Sequence, residues 1–108
     1  MPEIRKVPYT EDRVLYETTV GALNLTPIAI AQRLNLEVDT GCDNLDYFDI
    51  LILDFRGKTV GFLRHRGAPE NFCGVSNFSN LPIDELEQLL FELLPSGEVQ
   101  FTRYDEPW

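Results

Sequence analysis

Carboxylate side chains concentrate near the middle of this 108-residue sequence. Their spacing puts four of them in one segment of eleven residues, together with a threonine hydroxyl and an asparagine amide. Calcium takes about six to eight oxygen ligands of these kinds. Crowded carboxylates repel one another, and a bound divalent cation turns that repulsion into attraction. The pattern therefore predicts a calcium site, with calcium as the cofactor. Its ligands would be Asp39, Asp43, Asp46 and Asp49.

The segment does not match an EF-hand loop. A loop of that type beginning at Asp39 would need an oxygen donor at Gly41, a glycine at Asn44 and a glutamate at Ile50, and the sequence supplies none of them. Magnesium fits less well, because it uses few protein ligands and usually a phosphate partner. The alternative is that these aspartates are ordinary loop residues, with Asp46 or Asn44 stabilising a turn and Asp49 exposed at a strand end.

The overall charge restricts the partners. Eighteen acidic residues face nine basic ones, which gives a net charge of −9 at pH 7. That field repels nucleic acids and anionic membrane surfaces and attracts cations and basic protein surfaces. The second functional hypothesis is thus an acidic protein-interaction module of the immunity or inhibitor type, which masks a basic partner surface. Its candidate surface is an acidic helix that carries Asp84, Glu85, Glu87 and Glu92.

Catalytic residues are few. The one histidine, His65, lies between two arginines. A couple between Cys73 and His65 has no third residue placed to orient the base. Cys42 and Cys73 are interpreted as reduced structural residues. No phosphate-binding loop or paired-acid motif occurs, and the sequence predicts a non-enzymatic protein with a regulatory or buffering role.

The N-terminal residues and the length of the apolar runs give an expectation for the cellular location. No secretory signal follows the charged N-terminal residues, and no apolar run approaches the ~20 residues of a membrane span. A cytoplasmic location is the default expectation.

A strip of basic residues follows the aspartates, at Arg56, Lys58, Arg64 and Arg66. Because Phe62 shares the strand parity of three of them, the strip has some likeness to the sheet surface of RNA-binding domains, where aromatic rings stack on bases. The glycine-aromatic signature of those modules is absent and the net charge opposes the encounter. The favoured interpretation is that these residues form ion pairs with the neighbouring acidic segment.

The elements that would position these residues can be predicted from local patterns. Residues 4–8 are a short lead-in compatible with a brief strand. Thr26-Pro27 has the chemistry of a helix start, and Arg56-Gly57 that of a tight turn. The predicted elements are a strand over 14–20, a helix over 27–35, a loop over 37–46, hairpin strands over 47–55 and 58–65, a connection over 66–80, a helix opened by Pro82, and a strand over 99–103.

These elements describe one domain spanning residues 1–108. The order β-α-β-β-α-β predicts an α+β fold, with an antiparallel sheet of about four strands and two helices on one face. It resembles the element order of ferredoxin-like domains. That order accommodates many unrelated activities and implies none of them.

Overall fold

Antiparallel strands dominate the structure, which is a computed structural model. It describes residues 4–10, 19–42, 47–67, 71–95 and 97–104. Within these ranges, seven strands form one sheet, accompanied by two short helices. In chain order the elements are β1 Ile4–Val7, β2 Thr19–Leu23, α1 Pro27–Leu34, β3 Asp39–Cys42, β4 Tyr47–Phe55, β5 Lys58–His65, β6 Cys73–Asn77, α2 Ile83–Leu93 and β7 Phe101–Arg103.

The strands do not follow chain order across the sheet. Their spatial order is β1-β4-β5-β6-β2-β7, and β3 also pairs with β4. Because β5 occupies one edge of β4 along nearly its whole length, β1 and β3 share the other edge end to end. β1 pairs with residues 52–55 and β3 with residues 47–50. The acidic segment therefore meets the N-terminal strand at an edge of the sheet.

The predicted fold class is wrong. The domain is mostly sheet, with seven antiparallel strands where about four were expected, and its order is not β-α-β-β-α-β. β3 lies in the predicted loop over 37–46, and β6 lies in the predicted connection over 66–80. Both contain glycine and polar residues that favour turns when only local sequence is considered. Pairing with neighbouring strands stabilises them as strands.

The predicted strand over 14–20 is only partly within the described residues, since residues 14–18 lie outside them. The observed β2 begins at Thr19 and continues through Gly21, where the strand was expected to end. A shift of register between Thr19 and Gly21 marks an irregularity in its pairing with β6.

Elements with strong local signals are confirmed. The β4–β5 hairpin has the predicted bounds, with Arg56 and Gly57 both at positive φ in its turn. The Thr26 side chain accepts a hydrogen bond from the Ala29 amide and caps α1. α2 begins directly after Pro82.

Two apolar clusters lie on opposite faces of β4. Leu51, Leu53 and Phe55 face both helices and form the larger cluster with residues of the neighbouring strands. Phe48, Ile50 and Ile52 form the smaller cluster on the other face. Alternate residues of a strand project to opposite sides, so β4 is buried on both faces, as its continuous apolar run predicts. We call the side that carries α1 and α2 the helix face and the other side the open face.

Candidate functional site

The predicted calcium ligands are divided between the two faces of the sheet. Asp39 is opposite Ile50 in the β3–β4 register, whereas Asp49 is opposite Thr40. Directly opposed residues share a face and adjacent residues do not. Asp39 therefore lies on the side of Ile50, and Asp49 on the other. Asp43 and Asp46 lie outside the described residues.

Asp39 is bound by the N-terminal segment. Its Oδ1 lies 2.8 Å from the Nζ of Lys6, and its Oδ2 accepts a hydrogen bond of 3.0 Å from the backbone amide of Tyr9. Both side chains of the ion pair are largely shielded from solvent. The Asp39 carboxylate thus links β3 to the end of β1, and both of its oxygens have protein partners.

Asp49 is a buried carboxylate with an arginine partner. The residue is only 5% exposed, so the alternative expectation that it is exposed at a strand end is wrong. Its Oδ1 accepts hydrogen bonds from the Nε and Nη2 of Arg66 at 3.3 and 3.1 Å. Nη2 also reaches the Oγ1 of Thr40 at 3.4 Å. A buried charge is tolerated when it is paired and hydrogen-bonded, and Arg66 meets that requirement for Asp49.

The two described members of the aspartate cluster thus have cations supplied by the chain itself. In the part of the chain that the structure describes, no group of three or more histidine, cysteine or acidic side chains is arranged to hold a metal ion. The calcium hypothesis stays a prediction. A site built from all four aspartates would require Asp39 and Asp49 to leave Lys6 and Arg66.

A calcium titration separates a metal site from an internal ion-pair network. A ligand that binds only the folded state stabilises it by about 2.7 kcal/mol at a hundredfold excess over Kd. Because Asp39 and Asp49 already have cationic partners, we expect the melting temperature of the chelator-treated protein to be unchanged in millimolar calcium. A rise that Asp39→Asn and Asp49→Asn abolish, and that the control Glu37→Gln preserves, would instead establish the four-aspartate site.

The two cysteines are both free thiols. Cys42 is exposed on β3, whereas Cys73 is completely buried. Burial raises the pKa of the Cys73 thiol to about 12, so it carries a proton at neutral pH. Cys73 belongs to the helix-face cluster, while the His65 ring packs edge-on against Phe48 of the open-face cluster, with centroids 5.7 Å apart. The sheet therefore separates Cys73 from His65.

The basic strip has a different role from the one suggested by its parity with Phe62. Phe62 is fully buried in the helix-face cluster, so its ring cannot stack on a base. Arg66 pairs with Asp49, and Arg56 forms an ion pair with Glu92 of α2. The favoured interpretation, that the strip forms ion pairs with the neighbouring acidic segment, is confirmed for Arg66, whereas Arg56 pairs with α2 instead.

The acidic helix presents a mixed outer surface. Leu86, Leu89, Leu90 and Leu93 are buried against the sheet. The opposite side of α2 is exposed and carries a phenylalanine that is 38% exposed. We call this side the α2 outer face, made of Asp84, Glu85, Gln88, Phe91 and Glu92.

Arginines from other elements hold the two ends of α2. Arg103 of β7 pairs with Asp84 and Glu87, its Nε lying 2.8 Å from the Glu87 Oε2. The hydrogen bonds to Glu87 and Asp84 raise the pKa of Arg103. Arg56, in the β4–β5 turn, binds Glu92 near the other end. The helix is therefore held on the sheet by its apolar side, with partly exposed ion pairs near both ends.

Phe91 is the residue of this surface that the charge pattern alone does not identify. Helical spacing gives the signal, since position 91 is one turn from Gln88 and two turns from Asp84, on the polar side of α2. Phe91 adds an exposed apolar side chain to the charged side of α2.

Neither helix within the described ranges has the length and apolar character to cross a membrane.

Comparisons with known proteins give no relative. No protein-family model, curated protein or solved structure matches this chain.

Proposed function

We propose that this protein is an acidic interaction module of the immunity or inhibitor type, which covers a basic surface of a partner protein with the α2 outer face. The observation that carries the proposal is Phe91, which is 38% exposed among exposed carboxylates on a helix that four buried leucines hold against the sheet. The proposal rests on three properties of that face: its charge, its composition and its rigidity.

Charge attracts the partner. The helix carries four carboxylates, and two arginines of the same chain pair with three of them. Glu85 forms no ion pair within the described residues, and the Asp84 side chain is 84% exposed despite its contact with Arg103. The face therefore keeps an excess of negative charge, in a protein whose net charge is −9. Such a field steers basic proteins and raises their association rates.

Composition supplies the contact itself. Protein interfaces place aromatic residues at the centre, where they are desolvated on binding, and polar residues at the rim. On the α2 outer face, Phe91 has Gln88 one turn before it, and carboxylates lie on either side along the helix. This arrangement suits an apolar pocket bordered by lysine or arginine.

Rigidity lowers the cost of binding. Ordering a mobile segment opposes association, whereas a surface fixed beforehand does not have to be ordered. Four buried leucines already hold α2 against the sheet. The carboxylates of Asp39 and Asp49, by contrast, are used within the chain. The α2 outer face is thus better placed than the aspartate segment to meet a partner.

The test begins with capture of binding proteins on the immobilised protein at low salt, followed by purification of any partner and measurement of its Kd. We expect a basic partner that is released as ionic strength rises. Phe91→Ala is expected to weaken its binding about tenfold or more, because a central aromatic contact contributes over ~1 kcal/mol. Glu85→Lys should weaken it as well.

The matched control is Glu37→Lys, which makes the same change of charge at an exposed residue outside α2. Equal losses for Glu37→Lys and Glu85→Lys would mean that net charge alone governs the interaction. Unchanged affinity of Phe91→Ala would remove the α2 outer face as the binding surface. Melting temperatures of all three variants verify that each remains folded.

A further inference from the structure

A groove of about 410 Å³ lies at the β7 side of the sheet, away from α2. Ala22 of β2 is opposite both Gly74 of β6 and Thr102 of β7. These three residues have the parity of the open face, and Ala22 and Thr102 line the groove. Two aromatic residues, Phe72 and Tyr104, also line the groove.

One wall of the groove is built by hydrogen bonds between β2 and the start of β7. The Asn24 Nδ2 donates to the backbone carbonyl oxygen of Glu98 at 2.7 Å, and the Asn24 Oδ1 accepts from the backbone amide of Gln100 at 2.7 Å. The backbone amide of Asn24 donates in turn to the backbone carbonyl oxygen of Gln100 at 3.2 Å. This wall is thus fixed before any ligand arrives.

Polar side chains of the groove are available for a ligand. Those of Asn71, Gln100, Thr102 and Tyr104 line it, and none of the four makes a side-chain hydrogen bond within the described residues. Together they offer two amides and two hydroxyl groups, each able to donate and accept. Tyr104 is 46% exposed, so its ring and its hydroxyl are both accessible.

The groove is also neutral. Among the described residues that line it, none carries a formal charge, although the protein as a whole has a net charge of −9. A charged ligand would find no counter-ion among these described residues. A purely apolar ligand would cover amides and hydroxyls without pairing them, at a cost of ~1–3 kcal/mol for each buried group. The chemistry that remains is an uncharged ligand with many hydroxyl groups and apolar C–H surfaces.

We propose that this groove binds a neutral oligosaccharide. The C–H face of a sugar ring packs on the aromatic rings of Phe72 and Tyr104, while its hydroxyl groups exchange hydrogen bonds with the amides of Asn71 and Gln100. An extended peptide is the less suitable ligand. Peptides that extend a sheet pair with the free backbone groups of an edge strand, whereas the floor here is the face of strands already paired with each other.

The test is a titration of the isotope-labelled protein, followed by backbone amide NMR shifts, with five neutral hexasaccharides as probes: maltohexaose, cellohexaose, xylohexaose, mannohexaose and chitohexaose. We expect at least one of them to bind with a Kd of about 1 mM. The shifts should be concentrated at residues 22–24, 71–72 and 100–104. Tyr104→Ala and Gln100→Ala should each weaken binding about tenfold, equivalent to ~1.4 kcal/mol.

The control is Tyr47→Ala, which removes an exposed aromatic ring from β4, far across the sheet order. It should bind the saccharide as the unmodified protein does. Failure of all five probes to move these resonances at about tenfold the expected Kd would overturn the proposal. So would shifts located elsewhere, full binding by the folded Tyr104→Ala variant, or binding of a neutral peptide in place of every saccharide.

Discussion

Arg66→Ala is expected to lower the free energy of unfolding by about 2 kcal/mol. The substitution leaves the Asp49 carboxylate buried without the guanidinium that binds its Oδ1. Removing one partner of a fully buried pair costs ~3–5 kcal/mol. The Arg66 side chain is 54% exposed, so water reaches the pair. The expected loss of about 2 kcal/mol is therefore smaller than the loss for a fully buried pair. Urea denaturation at neutral pH measures the change.

The control for this prediction is Arg5→Ala. Arg5 also pairs with an aspartate of β4, at 3.3 Å from the Asp54 Oδ2, but its side chain is 68% exposed. Exposed pairs contribute ~0–1 kcal/mol, so Arg5→Ala should change stability little. The double variant Arg66→Ala/Asp49→Ala should regain part of the loss, because it removes the unpaired charge. Equal effects of Arg66→Ala and Arg5→Ala would show that Asp49 does not depend on its arginine.

Gly21→Ala is expected to destabilise the protein by about 3 kcal/mol, the upper end for overpacking. A methyl group at Gly21 would lie 2.5 Å from the carbonyl oxygen of Thr102 and 2.5 Å from the ring of Phe101. The ring can rotate, but the carbonyl oxygen belongs to the strand paired with β2 and cannot move alone. Relief of the contact would therefore displace β7. Thermal and urea unfolding measure the loss.

Gly74→Ala is the control for Gly21→Ala, on the neighbouring strand of the same sheet. A methyl group there would lie 3.4 Å from Thr19 Cγ2 and 3.8 Å from the carbonyl oxygen of Leu63, which are ordinary contacts. Since alanine restricts the unfolded chain, we expect a change between zero and a gain of ~1 kcal/mol. A loss at Gly74 as large as that at Gly21 would contradict a specific clash with β7.

Local sequence patterns were sufficient for the elements whose stability is local. The β4–β5 hairpin has a glycine-containing turn between two apolar runs, and α1 has a capping hydroxyl followed by proline. The strands β3 and β6 have no such signal, because glycine, asparagine and aspartate in their sequences are typical of loops. What makes them strands is pairing with β4 and with β5 and β2. The predicted element order was incorrect because it did not include β3 and β6.

The aspartate cluster was predicted from proximity along the chain, and its partners come from far along it. Lys6 and Tyr9 reach Asp39 from the N-terminal segment, and no pattern within residues 39–49 identifies them. The prediction also assumed a loop in which neighbouring carboxylates converge. Because residues 39–42 and 47–55 are strands, the pleat sends Asp39 and Asp49 to opposite sides.

The end-to-end arrangement of β1 and β3 determines how one edge of β4 is kept from pairing with other chains. The segment they flank, Phe48 to Leu53, is apolar apart from Asp49, and bare backbone beside such a segment recruits other chains into mixed sheets. Neither short strand is long enough to cover it, so each shields one half. The contact between Lys6 and Asp39 sits at the seam between the halves. Both strands, which are distant in sequence, must therefore pair with β4 before this apolar segment is protected from pairing with other copies of the protein.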